Sequence, residues 1–322
     1  MTISSSKLFA VDVITPYASH KRTGRIRATQ SPVSCDHLMA STNVRPRCLI
    51  DVYTTKLIEF TKNDTIPPYA VLSHRWKLGE EVMYEELLYP RDETKAKLGY
   101  RKIMAACQKA RDGGVHYIWV DTCCIKQGDD ADIKANITSM YAYYQNAAVC
   151  YAYLADLPQA RKSLDSSEWF TRGWTLQELL APPTVIFFDK NWSRIGSRHE
   201  LRYVIYIATT IPVNVLSSEK PVRDVSVVDR MTWALGRETT KPQDRAYCLQ
   251  GLLGITVEPN YDEWYWTSFN RLGKALLAAY PELKQILQID EYWFDRDGPE
   301  TTGLCHLLWD KRNNGQAWDN VC

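Results

Sequence analysis

The chain lacks most of the short motifs that announce a common chemistry. Its 322 residues contain no Gly-x4-Gly-Lys-Ser/Thr and no Gly-x-Gly-x-x-Gly, so neither a P-loop nor the dinucleotide fingerprint is present. Gly-x-Ser-x-Gly is absent too, which argues against an α/β-hydrolase. No Cys-x-x-Cys pair occurs and the six histidines do not recur at ligand spacing, so no metal site is expected. No apolar run approaches the length of a membrane span. Charge of one sign is also missing: 39 Lys and Arg against 38 Asp and Glu leave a net +1. That balance gives no global attraction to nucleic acid or an anionic membrane. Internal repeats and low-complexity stretches are absent as well.

What is present is material for a core, with 45% hydrophobic residues and an aromatic set of 11 Trp and 19 Tyr. Nine scattered cysteines, an odd number, fit reduced thiols and a cytoplasmic location better than a disulfide framework. Residues 1–46 are basic, rich in Ser and Thr, and without steady period. They lack the sustained apolar run and small-residue cleavage site of a secretory signal, and Asp12 argues against a transit peptide. A loose N-terminal arm is the expectation.

From Cys48 the signal sharpens. "CLIDVYTTKLIEF" reads as two short strands around a Thr-Thr-Lys turn, and "YAVL", "VHYIWVD", "AVCYAYLAD" and "TVIFFD" as apolar strands. Between them, "YRKIMAACQKARDGG" is an amphipathic helix with Ile103, Cys107 and Ala110 inward, stopped by Gly113-Gly114. "DADIKANITSMYAYYQNA" repeats the helical period through Ile133, Ile137, Met140, Tyr141 and Tyr144. Strands alternating with helices imply a mostly parallel α/β sheet, and continuous apolar strands imply helices on both faces. The sheet core is expected over about 48–195, a helical extension over about 198–285, and an unassigned tail over 286–322.

In parallel α/β sheets ligands bind beyond the carboxyl ends of the strands. Here those ends carry Ser73-His74-Arg75-Trp76, Asp121, Asp156 and Asp189. A lone Asp at such a place is an ordinary turn or cap residue; the cluster is harder to dismiss. In "RGWTLQELLAPP" a helical reading puts Leu176, Leu179 and Leu180 on one face and Trp174 beside Glu178 on the other. A carboxylate desolvated by a ring has a raised pKa and can stabilise an oxocarbenium-like transition state. The bland alternative is a solvated Glu with a stray Trp, with Arg172 pairing to Glu168 or Glu178 instead of to a phosphate. His74 with Cys123 or Cys124 is a weaker candidate, as a thiol nucleophile pair.

Five segments, "YAVLSHRW", "GVHYIWVDTCCIKQ", "ITSMYAYYQNAAVCYAYLAD", "WFTRGWTLQELLAPPTVIFFDKNW" and "MTWALGRETTKPQDRAYCLQGLLGI", resemble the fungal heterokaryon-incompatibility (HET) domain over roughly Cys48 to Leu277. The lead-in "CLIDVYTTKLIEF" is similar to that family as well. Two segments depart from its pattern: "DIKAN", with Ala135 where a Glu is usual, and "TVEPNYDEW" after "GLLGI". The resemblance implies a cell-death effector of fungal non-self recognition, with an incompatibility partner or receptor. The family is also remotely similar to Toll/interleukin-1 receptor-like (TIR) domains, which implies a TIR-like, flavodoxin-like parallel sheet. Some TIR domains cleave NAD at the nicotinamide–ribose bond, using a glutamate in a Trp-x-Leu-x-Glu-Leu helix. Trp174 to Leu179 fits that pattern, placed after the fourth strand of a parallel sheet.

The resemblance therefore implies Glu178 as catalytic carboxylate and NAD or a related nucleotide as substrate, with no metal or other cofactor. Ser73, His74, Trp76, Asp121, Gln127, Arg172 and Trp174 are the expected binding residues, and self-association is expected to complete the site. A non-catalytic adaptor that only assembles with itself or a receptor is the alternative reading, and a Cys/His hydrolase a weaker one.

Overall fold

The computed structural model describes residues 44–157 and 164–286. The expected N-terminal arm, apart from its last residues, and nearly all of the C-terminal tail lie outside them.

Seven strands form one sheet: β1 (Cys48–Asp51), β2 (Leu57–Glu59), β3 (Tyr69–His74), β4 (Tyr117–Trp119), β5 (Val149–Tyr153), β6 (Val185–Phe188) and β7 (Arg194–Ser197). Their order is β2-β1-β4-β3-β5-β6-β7. The four central strands, β4-β3-β5-β6, are mutually parallel, with antiparallel strands at both edges. The sheet is therefore mixed, as "mostly parallel" allows. All six residues of β3 are buried. Successive side chains point to opposite faces, so both faces of the central strand are covered, as the apolar runs required. The chain moves from β3 to β4 on one side and then to β5 on the other. The crevice between the ends of β3 and β5 is thus the topological switch point, where such sheets bind ligands.

Local chemistry explains the elements. The β1–β2 turn closes because Asp51 Oδ1 accepts the amides of Tyr53 and Thr54 at 2.9 and 2.8 Å, with Thr55 in left-handed backbone. Asp129 caps the Asp130–Gln145 helix through the amides of Ala131 and Asp132. The Leu98–Asp112 helix buries Ile103, Cys107 and Ala110 as expected. The Asp130–Gln145 helix differs from its expected face: Met140 and Tyr144 are buried, but Ile133, Ile137 and Tyr141 are only half-buried, and Asn136 and Tyr143 go inward instead. The extension from 198 is helical as read, its longest helix being Tyr265–Ala279. No described helix is long and apolar enough to cross a membrane.

Three expectations need correction. β3 runs through Ser73 and His74, two residues beyond the expected "YAVL" strand. β7 was not foreseen, because "RIGS" is polar and carries a glycine. The Glu178 helix, Thr175–Leu180, follows the third parallel strand, β5, and precedes the fourth.

Gly99 permits a close approach that matters for the site. A Cβ there meets Glu80 O at 2.4 Å and Glu81 Cα at 2.9 Å, both backbone. Gly99→Ala is expected to push the 80–82 segment off the helix and cost about 1–3 kcal/mol, an overpacking penalty. Urea denaturation at fixed pH reads it, and an unchanged midpoint counts against this packing.

Candidate functional site at the strand ends

Ser73 and His74 close β3, and strand alternation sends their side chains to opposite faces. Each meets a different set of polar groups.

On the Ser73 side, Ser73 Oγ accepts Trp169 Nε1–H at 2.9 Å and donates to Glu178 Oε2. Tyr144 also hydrogen-bonds Glu178, and its hydroxyl lies 3.3 Å from Leu72 O. Trp169 packs edge-on against Phe170 and Phe187, with ring centroids at 5.0 and 5.5 Å. This apolar wall leaves Glu178 5% exposed. Burial, reinforced by the charge of Asp121, pushes the Glu178 carboxyl up to about 8, against the hydrogen bonds of Ser73 and Tyr144 and the charge of Arg172.

On the His74 side, Lys102 Nζ lies 2.7 Å from both Glu81 oxygens. His74 Nε2 is 3.7 Å from Glu81 Oε2 and 3.8 Å from Asp121 Oδ1. Those carboxylates are at ion-pair range, yet burial and the Lys102 charge hold His74 well below its ordinary pKa, so the imidazole is neutral. Asp121 Oδ2 accepts Trp76 Nε1–H at 2.8 Å. Burial, with the charge of Glu81 adding, lifts Asp121 to about 6 against Trp76 and Lys102.

Two buried arginines hold the Glu178 helix. Arg198 donates to Leu179 O, Pro182 O and Pro183 O just past Glu178, and to Leu216 O and Ser218 Oγ. Arg237 donates to Arg172 O and Thr175 Oγ1 at the other end. The segment after Arg237 pairs with the helix entry: Glu238 N donates to Thr171 O at 2.7 Å and Gly173 N to Glu238 O at 2.8 Å. Gly173 allows this, since a Cβ there meets Thr239 Cγ2 at 2.6 Å.

Of the residues expected from the sequence, Ser73 joins Glu178, and His74, Trp76 and Asp121 form one neighbouring group. Arg172 donates to Thr240 Oγ1 at 2.8 Å while its charge acts on Glu178. Gln127 is exposed in the turn before the Asp130–Gln145 helix. Trp174 is the main correction: its indole donates to Asp244 Oδ2 at 3.1 Å, within the helical extension. The indole bonded into the Glu178 network is that of Trp169. Trp174 has helical backbone and its carbonyl accepts Glu178 N at 3.4 Å, but its indole nitrogen is taken by Asp244.

Sequence reasoning also missed Tyr144's role and the Glu81–Lys102 pair. Lys102 was legible in principle, as a lysine on the buried face shared by Gly99, Ile103 and Ala106. Glu81 sits in a loop and carries no periodic signal. Cys123 and Cys124 are sealed in the core, and burial raises the Cys124 thiol well above its ordinary value, so a thiol–His74 pair lacks an accessible nucleophile. Among the described residues, no group of three or more His, Cys, Asp or Glu is placed to hold a metal ion.

A mixed seven-stranded sheet flanked by helices, with a desolvated carboxyl hydrogen-bonded at the end of β3, defines the class: an α/β domain. Residues 69–161 match the family model described as Heterokaryon incompatibility protein (HET). Over 222 residues the chain is 40% identical to "Vegetative incompatibility protein HET-E-1" of Podospora anserina, covering 66% of this chain and 16% of that protein. The two matches support the HET family. The chain spans only a small part of its relative's length. No solved structure matches it.

Proposed function

We propose that this domain is an incompatibility effector that cleaves NAD, or a related dinucleotide, at the nicotinamide–ribose bond, with Glu178 as the catalytic carboxylate. The observation that carries the reading is Glu178 itself: a carboxyl sealed behind Trp169 and tied to Ser73 at the end of β3. The parallel strands, numbered in chain order, run second-first-third-fourth. That order is shared with flavodoxin-like sheets and supports the TIR-like kinship. The substrate's pyridinium charge favours the ionised form of Glu178, and the carboxylate then stabilises positive charge developing on the ribose as nicotinamide leaves. Ser73, His74, Trp76, Asp121, Gln127 and Arg172 are the binding residues of this reading, while Trp174 supports the helix from behind. An incompatibility partner or receptor supplies the trigger.

Incubating the protein with NAD and following nicotinamide by chromatography tests the reading; a folded, concentrated sample that leaves NAD intact refutes it. Because Glu178 is nearly enclosed, self-association is proposed to open or complete the site. Specific activity is then expected to rise with protein concentration, and a flat dependence counts against assembly. The enclosure also favours a second reading, a non-catalytic adaptor in which Glu178 is a packing group. Nicotinamide release separates the two.

The pH dependence has a worked sign. Glu178 rises from an ordinary 4.5 to about 8 in the fold. Between those values the folded chain keeps a proton that the unfolded chain has lost. The stability this group contributes is full below about 4.5 and is lost as pH rises through about 8. If the ionised carboxylate performs the reaction, nicotinamide release climbs over the same window. Parallel melting and activity profiles should therefore run in opposite directions, and Glu178→Gln should flatten that part of the melting profile. Profiles that fall or rise together contradict this assignment.

A further inference from the structure

The proposed cleavage uses Glu178 and leaves the second buried cluster without a task. That cluster is costly. Lys102 and Glu81 are a buried ion pair, 8% and 5% exposed. His74 is 6% exposed, and both its ring nitrogens lack hydrogen-bond partners. Asp121 Oδ1 is likewise buried without a partner, while its other oxygen is fixed by Trp76. Orphaned buried polar atoms and buried charges are expensive, and a sheet end packed only for stability would fill this space with apolar groups.

The geometry also has a direction. Asp121 Oδ1, His74 Nε2 and Glu81 Oε2 succeed one another at 3.8 and 3.7 Å, and Lys102 Nζ closes the series at 2.7 Å. The outer end lies nearest solvent: Oδ1 itself is buried, but the Asp121 side chain is 21% exposed and the Trp76 indole that holds its other oxygen belongs to a residue 42% exposed. The inner end is sealed. Ser73 and His74 are consecutive, so the Glu178 network and this series flank the same strand end from its two faces.

We infer that Asp121 is the general base that takes a proton from the attacking water, and that neutral His74, set against Glu81 and Lys102, positions it for that task. The inference rests on the nucleotide-cleaving reading above and specifies its acceptor as water. The bond between the ribose anomeric carbon and the pyridinium nitrogen breaks, and its electron pair neutralises the nicotinamide ring. The water oxygen bonds to the anomeric carbon and gives one proton to the Asp121 carboxylate. That proton then leaves Asp121 for solvent, which restores the carboxylate, while His74 stays neutral beside it, set against Glu81, which Lys102 holds at 2.7 Å. Asp121 is a catalytic residue on this account; His74, with Glu81 and Lys102 behind it, positions Asp121.

The test separates proton removal from bond cleavage. Labelled nicotinamide attacks the ribosyl centre through a ring nitrogen lone pair and has no proton to surrender, so its exchange into NAD needs Glu178 but no base. Asp121→Asn is expected to lower hydrolysis about 10²–10⁴-fold more than it lowers exchange, the range for general acid–base catalysis. Azide, an anion with no proton to lose, should restore turnover in Asp121→Asn and not in Glu178→Gln. His74→Gln, an independent route should Asp121→Asn misfold, is expected to slow hydrolysis selectively in the same way. Melting temperatures establish that each variant is folded. A folded Asp121→Asn that loses exchange and hydrolysis equally, or neither, overturns the assignment and leaves the cleavage reading standing. A wild-type protein that neither releases nor exchanges nicotinamide overturns the cleavage reading itself.

Discussion

Glu178→Gln is expected to fold normally and to lose most nicotinamide release. Glutamine keeps the size of the side chain and can still accept the Ser73 hydroxyl, so the Trp169–Ser73 arrangement survives. What disappears is the negative charge that, in the proposed mechanism, meets the forming oxocarbenium ion. Loss of a preorganised electrostatic group of this kind costs about 10²–10³ in rate. Substrate affinity should change far less, because ground-state contacts are left in place. Stability at high pH should rise, since Gln cannot be forced to ionise in the sealed pocket. A drop in rate below tenfold, with the protein folded and saturated, assigns the chemistry elsewhere.

Arg198→Ala is expected to be the most destabilising single change in the described domain. Its guanidinium serves three backbone carbonyls at the end of the Glu178 helix, at 2.7, 3.1 and 3.4 Å, together with Leu216 O and Ser218 Oγ. The helix stops at Pro182-Pro183, so those carbonyls have no following amides to bond. Each buried acceptor left alone costs about 1–3 kcal/mol. Partial relaxation reduces the sum, and a loss of about 4–5 kcal/mol is expected, at the far end of what point changes do. In a domain of this size that lowers the melting temperature by about 10–15 °C. Lysine should recover only part of it, because a single ammonium cannot reproduce the planar fork. A calorimetric shift of only a few degrees for Arg198→Ala means that water replaces the guanidinium without penalty.

The central strands were legible because both of their faces are buried, and burial on both faces writes unbroken apolar runs such as "YAVL" and "VIFF". Strand ends were legible because a polar residue after such a run has few reasons to be there, which pointed to Ser73, His74 and Asp121. β7 was not legible, since an edge strand pairs through its backbone and tolerates Arg194, Gly196 and Ser197. Arg198, in "GSRHEL", reads as a solvated arginine; only the meeting of two distant carbonyl groups shows why it is buried. The Trp169 indole was not legible for a similar reason. Helical spacing joins Trp174 to Glu178, whereas Trp169 reaches the site through a short 3-10 turn that no period announces.

The distance in sequence between the parts of the Glu178 network has a consequence for synthesis. Ser73 and Glu178 are 105 residues apart. The arginine that braces the helix entry and the aspartate that holds Trp174 come later still, at Arg237 and Asp244. On a ribosome adding about 5–20 residues per second, the interval between Ser73 and Asp244 is roughly 10–30 s. During that time β3, β4 and β5 can already pair, but the carboxyl has no braced helix to stand on. A nascent chain of this kind lacks a braced Glu178 helix until residues past Asp244 have emerged, so the scaffold is made well before the site.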